Sequence, residues 1–343
     1  MATNSNTRLA IVGAGWAGQV HALSAATIPG VTIPVVATRS LDTAAAFAEQ
    51  VNGEAFTVEE LPAGADAVVI GTPPAAHAAL AVRLLSAGVP VLVEKPLAAT
   101  LAEADAIITA AESTGAAACY AENLLFSPTV DLALARRAKL GALDHLSVVM
   151  RQPTPDWGHF AEPLTDGGVL FDLGPHALAA LVVLAGQDPV ALRAKLQSSR
   201  ADGADDVARV EVRFASDLIA SVDVAWGGEQ IDWAMQASSP TGVVRAELFP
   251  NLGVEVNGEP VLLPDPTGEI DRRVYDFGYS AQMEGFVGVL RRRGGRVCPV
   301  GFGRTILDMI CAAYASAGQD SVEVPLPFPG PRDRTPMQLW RGA

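Results

Sequence analysis

Across residues 8–120, short runs of aliphatic and β-branched residues alternate with alanine-rich runs of helical length. The runs at 8–12, 32–37, 66–71, 89–94 and 116–120 read as strands, in the βαβα pattern of a parallel sheet covered by helices on both faces. Thr100-Leu101-Ala102-Glu103 is a capping box opening one of these helices, and Gly115 ends it. After about residue 127 the grammar changes. Val210, Val212 and Phe214 alternate with Arg209, Glu211 and Arg213, and Val222, Val224 and Trp226 alternate beyond a turn near 215–217, as in an antiparallel sheet with one polar face. Further strand-like runs at 232–237, 243–249 and 252–256 enlarge that sheet. Helices are expected at about 282–292 and 304–316, packing back towards the first half, and the five-proline tail after Ser321 is expected to lie extended on the surface. A chain of 343 residues is longer than one core usually supports. The pattern predicts an α/β domain with a doubly wound parallel sheet over 1–125, then an α+β domain with a large, mainly antiparallel open sheet over 126–343.

Composition narrows the partners. With a net charge of −14 and no basic cluster longer than Arg291-Arg292-Arg293, most of the surface would repel a polyanion, so nucleic acid is not expected. The start, Met1 to Thr7, lacks the charged and apolar regions of a secretory leader. The apolar stretch at 169–185 is broken by Asp172, Gly174, Pro175 and His176, short of the ~20 uninterrupted residues a membrane span needs. Cys119, Cys298 and Cys311 fit neither a disulfide framework nor a CxxC site. A cytoplasmic protein without a metal centre is the expectation.

Candidate chemistry begins at the first strand, which runs into Gly13-Ala14-Gly15-Trp16-Ala17-Gly18 and a helix-compatible run. In such a strand–turn–helix, Gly13 permits the tight turn, Gly15 lets the backbone approach a pyrophosphate, and Gly18 lets helix pack closely on strand. The phosphates then sit on amide donors at the helix N-terminus. In an NAD enzyme an acid that binds the adenosine ribose is expected about 20 residues beyond the last glycine, near position 38. Thr38-Arg39-Ser40 stands there instead, and the first carboxylate, Asp42, is read as a cap of the next helix. Arg39 can stack on adenine and pair with a 2′-phosphate while Thr38 and Ser40 donate hydrogen bonds, which favours NADP(H) over NAD(H).

Two further segments carry charge where ligands bind. Glu94-Lys95-Pro96 closes an apolar strand and brings one of only three lysines to the carboxyl edge of the sheet, where open α/β folds bind ligands. Gly167-Gly168-Val169-Leu170-Phe171-Asp172-Leu173-Gly174-Pro175-His176 places a carboxylate and an imidazole four residues apart. They share a face if the helix is continuous, while Pro175 favours a restart or a kink. An imidazole titrating near neutrality can move a substrate proton.

With these segments the sequence resembles, nearly end to end, the Gfo/Idh/MocA family of dehydrogenases, named for glucose-fructose oxidoreductase and inositol dehydrogenase. The resemblance rests on Gly13 to Gly18, Thr72-Pro73-Pro74 to His77, Glu94-Lys95-Pro96, Ala121-Glu122-Asn123 to Pro128, the Gly167-Gly168 to Asp172 and His176 segment, and the closing helical segment 306–317. It implies a Rossmann domain followed by a substrate-binding and oligomerisation domain whose sheet forms a homodimer or homotetramer, and a cis Lys95–Pro96 bond. The activity implied is hydride transfer between nicotinamide C4 and a secondary alcohol or ketone of a sugar, cyclitol or related cyclic alcohol. Lys95 and His176 would bind the reacting oxygen, His176 would accept its proton and Asp172 would position both; an alternative gives the proton to Lys95. Thr72, Pro73, His77, Glu94 and Lys95 would border the cofactor, and Tyr120, Asn123, Arg151, Trp157 and His159 would line the substrate pocket. Ala179 replaces an acid often found three residues after the histidine, and Leu124 and Leu125 stand where many members carry arginine, which points to a less polar pocket or to a substrate other than free inositol. Two other readings of the same motifs are a non-catalytic NADP(H)-sensing regulator, marked by tight association with another protein, and an aldose-aldose oxidoreductase whose NADP never leaves, marked by copurifying nicotinamide.

Overall fold

The computed structural model describes residues 6–61, 64–155, 167–199 and 203–342. The chain divides into two compact units, Met1–Ala98 with Glu103–Phe126 and Pro266–Gly303, and Ala99–Ala102 with Ser127–Asp265 and Arg304–Ala343. The first half contributes β1 (Thr7–Val12), α1 (Trp16–Ala26), β2 (Val31–Thr38), α2 (Leu41–Val51), β3 (Glu54–Thr57), β4 (Ala67–Ile70), α3 (His77–Ser86), β5 (Val91–Glu94), α4 (Leu101–Thr114) and β6 (Ala118–Ala121). Its six strands form one sheet in the order β3-β2-β1-β4-β5-β6, with every pairing parallel. The order reverses between β1 and β4, the switch point at which such sheets bind ligands.

The central strands are legible as apolar runs because both faces are covered: all four residues of β4 and of β5 are buried. Expectation missed β3, whose four residues are exposed or half-buried; an edge strand needs no apolar continuity. On one face Leu9, Ile11, Val36, Val69 and Leu92 pack with Ala22 of α1, Phe47 of α2, and Met283, Phe286 and Val287. Those last three lie on α9 (Tyr279–Leu290), which follows α8 (Arg272–Asp276) in the segment that returns to the first unit. From Arg304 onward, α10 (Val300–Ala317) counts with the second unit.

The second unit is built on α5 (Pro128–Arg137), β7 (His145–Gln152), α6 (Val169–Asp172), α7 (Gly174–Ala185), β8 (Pro189–Gln197), β9 (Val207–Phe214), β10 (Ile219–Trp226), β11 (Asp232–Ser239), β12 (Gly242–Phe249), β13 (Gly253–Val256) and β14 (Glu259–Val261). With β15 (Val324–Pro325) these form a nine-stranded sheet, β14-β13-β12-β11-β7-β10-β9-β8-β15. It is antiparallel except where β10 runs parallel to β7. Along β9, Ala208, Val210, Val212 and Phe214 are buried while Arg209 and Glu211 are exposed, so one face is apolar as the alternation requires. Helices α5, α6 and α7 pack on this sheet.

Three strands, β7, β8 and the short β14, were not anticipated; β8 opens on Pro189 and carries exposed Arg193 and Lys195, which dilutes its apolar signal. The tail also departs from expectation. Val324 and Pro325 pair with β8, Phe328 and Met337 are buried, and Pro336–Arg341 is a helix, α11. Thr335 and Gln338 form a capping box there and Pro336 occupies the first turn, a position where its missing N–H costs nothing. At Leu173 the helix breaks between α6 and α7, with Pro175 in the first turn of α7.

Because Phe286 is fully buried in the first unit's core, Phe286→Ala is expected to lower the unfolding free energy by about 3–5 kcal/mol. Urea denaturation measures this, and a loss below about 0.5 kcal/mol, the range of surface substitutions, would show that α9 is not part of that core.

Candidate functional site

Only three residues, Gly13 to Gly15, separate β1 from α1. Gly13 holds φ +111° and a Cβ there would collide with the carbonyl of Gly71; a Cβ on Gly18 would collide with the carbonyl of Gly13. Both glycines are therefore demanded by the protein's own packing. Gly15 differs, since a Cβ there would meet no atom within 4 Å, so its backbone stays open to an approaching group. Gly15 is the N-cap of α1, with no side chain capping it and no acid in the first turn. The N–H groups of this turn, including those of Trp16 and Ala17, form the positive end of the helix.

At the end of β2, Thr38 is buried; its hydroxyl donates to the Ser40 carbonyl at 2.6 Å and accepts the Ser40 N–H at 3.2 Å. Ser40 caps α2 by accepting the Thr43 N–H at 3.5 Å. The cap expected from Asp42 is thus Ser40, and Asp42 lies within the first turn, where a carboxylate favours the helix dipole. Arg39 is exposed, and its guanidinium has no hydrogen bond or ion pair among the described residues.

His77 sits between the ends of β4 and β5. Its Nδ1 lies 2.8 Å from the Pro96 carbonyl and its Nε2 2.8 Å from the Thr72 carbonyl. Burial lowers the pKa of this imidazole, against the opposing pull of the two carbonyls, and a neutral ring donates one N–H at a time. His77 therefore braces the backbone, with neither ring nitrogen turned to a ligand. The hydroxyl Oγ1 of Thr72 is buried with no partner among the described residues. Pro73 is exposed and the Lys95–Pro96 bond is cis.

Behind Lys95 sits a buried histidine–carboxylate pair. His21 on α1 donates Nε2–H to Glu94 Oε1 at 2.8 Å, and both residues are buried. Glu94 Oε2 accepts the backbone N–H of Lys95 at 2.9 Å. Burial alone would raise the Glu94 pKa, but the bond to His21, the charges of His21 and Lys95, and the Lys95 amide together hold it below the ordinary value. The Tyr279 ring stands edge-on to His21 at 5.5 Å and to Trp16 at 5.7 Å. The half-buried Lys95 thus leaves a strand whose last residue is anchored to the glycine-turn helix.

The two other first-unit candidates are packed inward. Tyr120 is buried beneath Gly303, where a Cβ would strike its ring, and burial pushes its phenol pKa well up. Asn123 is also buried; its Nδ2 donates to the Phe277 carbonyl at 2.7 Å, while its Oδ1 has no partner among the described residues. In the second unit, Asp172 ends α6 and His176 lies in the first turn of α7, both buried. The His176 ring tilts against Trp233 of β11 at 6.0 Å. Ala179 is fully buried, and Arg151 is exposed near the end of β7 in register with Asp232. Trp157 and His159 lie outside the described residues. Sequence reasoning passed over His21, Trp233 and Tyr279; a histidine three residues beyond Gly18 and an aromatic opening a strand were the available signals. Among the described residues no group of three or more His, Cys, Asp or Glu side chains is placed to hold a metal, and no helix is long and apolar enough to cross a membrane.

A parallel sheet with a ligand-open glycine turn at a helix N-terminus, an acid-free first turn and the orphaned Thr72 hydroxyl fits a dinucleotide and defines a nucleotide-binding α/β protein that also carries a large antiparallel sheet. Residues 7–122 match the family model described as the oxidoreductase family, NAD-binding Rossmann fold, and residues 133–236 match the GFO/IDH/MocA C-terminal domain; the chain belongs to the Gfo/Idh/MocA oxidoreductase family. It is 31% identical over 199 residues to UDP-N-acetylglucosamine 3-dehydrogenase of Acidithiobacillus ferrooxidans, covering 58% of this chain and 60% of that one. It is 30% identical over 191 residues to scyllo-inositol 2-dehydrogenase (NADP(+)) IolU of Bacillus subtilis, covering 52% and 58%. The chain thus spans less than two thirds of the length of these relatives. The crystal structure of GenD2 from gentamicin A biosynthesis in complex with NAD superposes with a TM-score of 0.82 at 24% identity, covering 94% of this chain and 97% of that chain, a likeness of fold.

Since Glu94 ionises more readily folded than unfolded, its contribution to stability is complete above the ordinary glutamate range and is lost as the pH falls through its lowered pKa. Glu94→Gln is expected to cost about 1–3 kcal/mol near neutral pH and to lose less than wild type as the pH falls from about 5 to 3. Denaturant titrations at each pH give the comparison, and identical pH slopes would contradict the pairing.

Proposed function

We propose that this protein is a pyridine-nucleotide-dependent oxidoreductase that interconverts a secondary alcohol and a ketone on a sugar, cyclitol or related cyclic alcohol, using NADP(H) in preference to NAD(H). The observation that carries the reading is the anchoring of Lys95 at the carboxyl end of β5 by the buried Glu94–His21 pair, beside a glycine turn left open to a ligand. The names of the relatives, one acting on a nucleotide sugar and one on an inositol, support the substrate class. The buried Ala179 supports a pocket with fewer charged contacts than an acid at that position would supply.

In this reading the Lys95 ammonium donates a hydrogen bond to the reacting oxygen. His176 accepts the hydroxyl proton during oxidation and returns it during reduction, and Asp172 orients and polarises the pair. Trp233, ring against ring with His176, offers a flat apolar face to a cyclic substrate. A bound nicotinamide supplies the hydride acceptor in oxidation and the donor in reduction. The NADP(H) preference is supported by the exposed Arg39 at the end of β2, which has no partner among the described residues, by the absence of a carboxylate from 38–40, and by the NADP(+) in the name of the inositol relative. The same reading includes a homodimer or homotetramer formed through the nine-stranded sheet, and a reducing cytoplasm in keeping with three free, buried cysteines.

Lys95→Ala and His176→Ala are each expected to lower kcat by about 10²–10⁴-fold with nucleotide affinity retained; near-wild-type turnover in both would overturn the assignment. Arg39→Ala is expected to weaken NADPH binding by roughly tenfold or more and to leave NADH binding nearly unchanged. Fluorescence titration of both nucleotides reads this out, and equal losses for the two would remove Arg39 as the 2′-phosphate contact.

A further inference from the structure

We propose that Asp205 and Tyr314 are positioning residues of the active site, holding the start of the segment that carries Asp172 and leads to His176. The inference rests on the acid-base reading of those two residues given above.

Helix α6 is a single turn, too short to hold its own start by intrahelical bonds. One residue supplies the missing acceptors. Asp205 Oδ1 accepts the Gly168 N–H at 3.0 Å, Asp205 Oδ2 accepts the Leu170 N–H at 2.9 Å, and the Asp205 carbonyl accepts the Val169 N–H at 2.8 Å. Three consecutive amides thus end on a single aspartate. From α10, the Tyr314 hydroxyl donates to Asp205 Oδ1 at 2.5 Å and itself accepts the Gly168 N–H at 3.1 Å. Asp205 and Tyr314 are both fully buried. The chain is shaped to fit: Gly168 lies so close to Asp205 that a Cβ would collide with its backbone, and Gly167 adopts φ +144°.

From this anchor the geometry propagates along the backbone. The Gly168 carbonyl accepts the Asp172 N–H at 3.0 Å, the Val169 carbonyl accepts the Leu173 N–H at 2.8 Å, and the Leu173 carbonyl accepts the Ala177 N–H at 3.1 Å. A shift at Gly168 therefore reaches Asp172 within one turn and the first turn of α7, with His176, in the next. Neither Asp205 nor Tyr314 is needed to touch a substrate for this. Burial pushes the Asp205 carboxyl up to about 6 although Tyr314 and the amides pull the other way; the carboxylate, which only accepts, is the form that matches three donors.

The test compares Asp205→Asn, which turns an N–H₂ towards donors, with Tyr314→Phe, which removes one hydroxyl and keeps the ring packing. In side-chain NMR spectra, the His176 ring resonances are expected to move or broaden in both variants, while those of His145, on β7, stay in place. With a cyclic alcohol that the wild type oxidises, kcat should fall roughly ten- to a hundredfold and the KM for NADP+ should stay within about twofold. Tyr314→Phe decides the matter if Asp205→Asn does not fold. Lowered melting temperatures with unmoved His176 resonances and unchanged kcat would reduce the pair to a structural role and overturn the proposal. A wild type that oxidises no alcohol would refute the proposed function instead, and the NMR comparison would still decide whether the anchor sets His176.

Discussion

A carboxylate placed at the buried end of a parallel strand must be given donors or it will not remain charged. Glu94 is that carboxylate, and the donors it recruits organise the first unit's functional edge. One comes from α1, the helix that begins at the open glycine turn, and the other is the amide of Lys95 itself. The helix expected to hold phosphate and the strand end that presents the lysine are therefore referenced to the same two oxygens. His77 repeats the arrangement one strand away by spanning the carbonyls of Thr72 and Pro96. Three strand ends, those of β1, β4 and β5, become one braced platform, the preorganisation that positioning a ligand against a catalytic group demands.

The second unit solves a similar problem with the same residue type. Its buried carboxylate, Asp205, collects the amides of a glycine turn and a tyrosine hydroxyl, and what it steadies is the entry to the segment bearing Asp172 and His176. In both units a buried acid acts through backbone amides. Such an anchor is stiff because both oxygens of each carboxylate are held by buried donors, backbone amides among them. At the second anchor glycine is required by the acid itself, since a Cβ on Gly168 would collide with the Asp205 backbone, whereas Gly13 and Gly18 are required by the turn, where a side chain would collide with the carbonyls of Gly71 and Gly13.

The parallel sheet could be read in the sequence because its central strands are buried on both faces and appear as unbroken apolar runs. Strands at edges or with charged outer positions, β3 and β8, carry no such run and were missed. Gly13, Gly15 and Gly18 were readable because their constraint is local, a turn between adjacent elements. The partners that anchor the chemistry were not: His21 and Glu94 are 73 residues apart, and Asp205 and Tyr314 are 109 apart. Local periodicity holds no record of such pairs. Long-range partners also fix Tyr120 and Asn123, which pack under Gly303 and bond the Phe277 carbonyl, contacts that their residue types alone do not announce.

On the proposed function, a nicotinamide-linked alcohol oxidation takes place on this scaffold with NADP(H) as the preferred cofactor. Absorbance at 340 nm tests it most directly, with the purified chain supplied with NADP+ or NAD+ and a panel of sugars, cyclitols and cyclic diols, and with the reduced cofactors and the corresponding ketones. The account predicts absorbance that rises with at least one cyclic alcohol and falls with its ketone, faster with the phosphorylated cofactor. No change with any member of the panel, in a protein shown to bind NADPH, would contradict it.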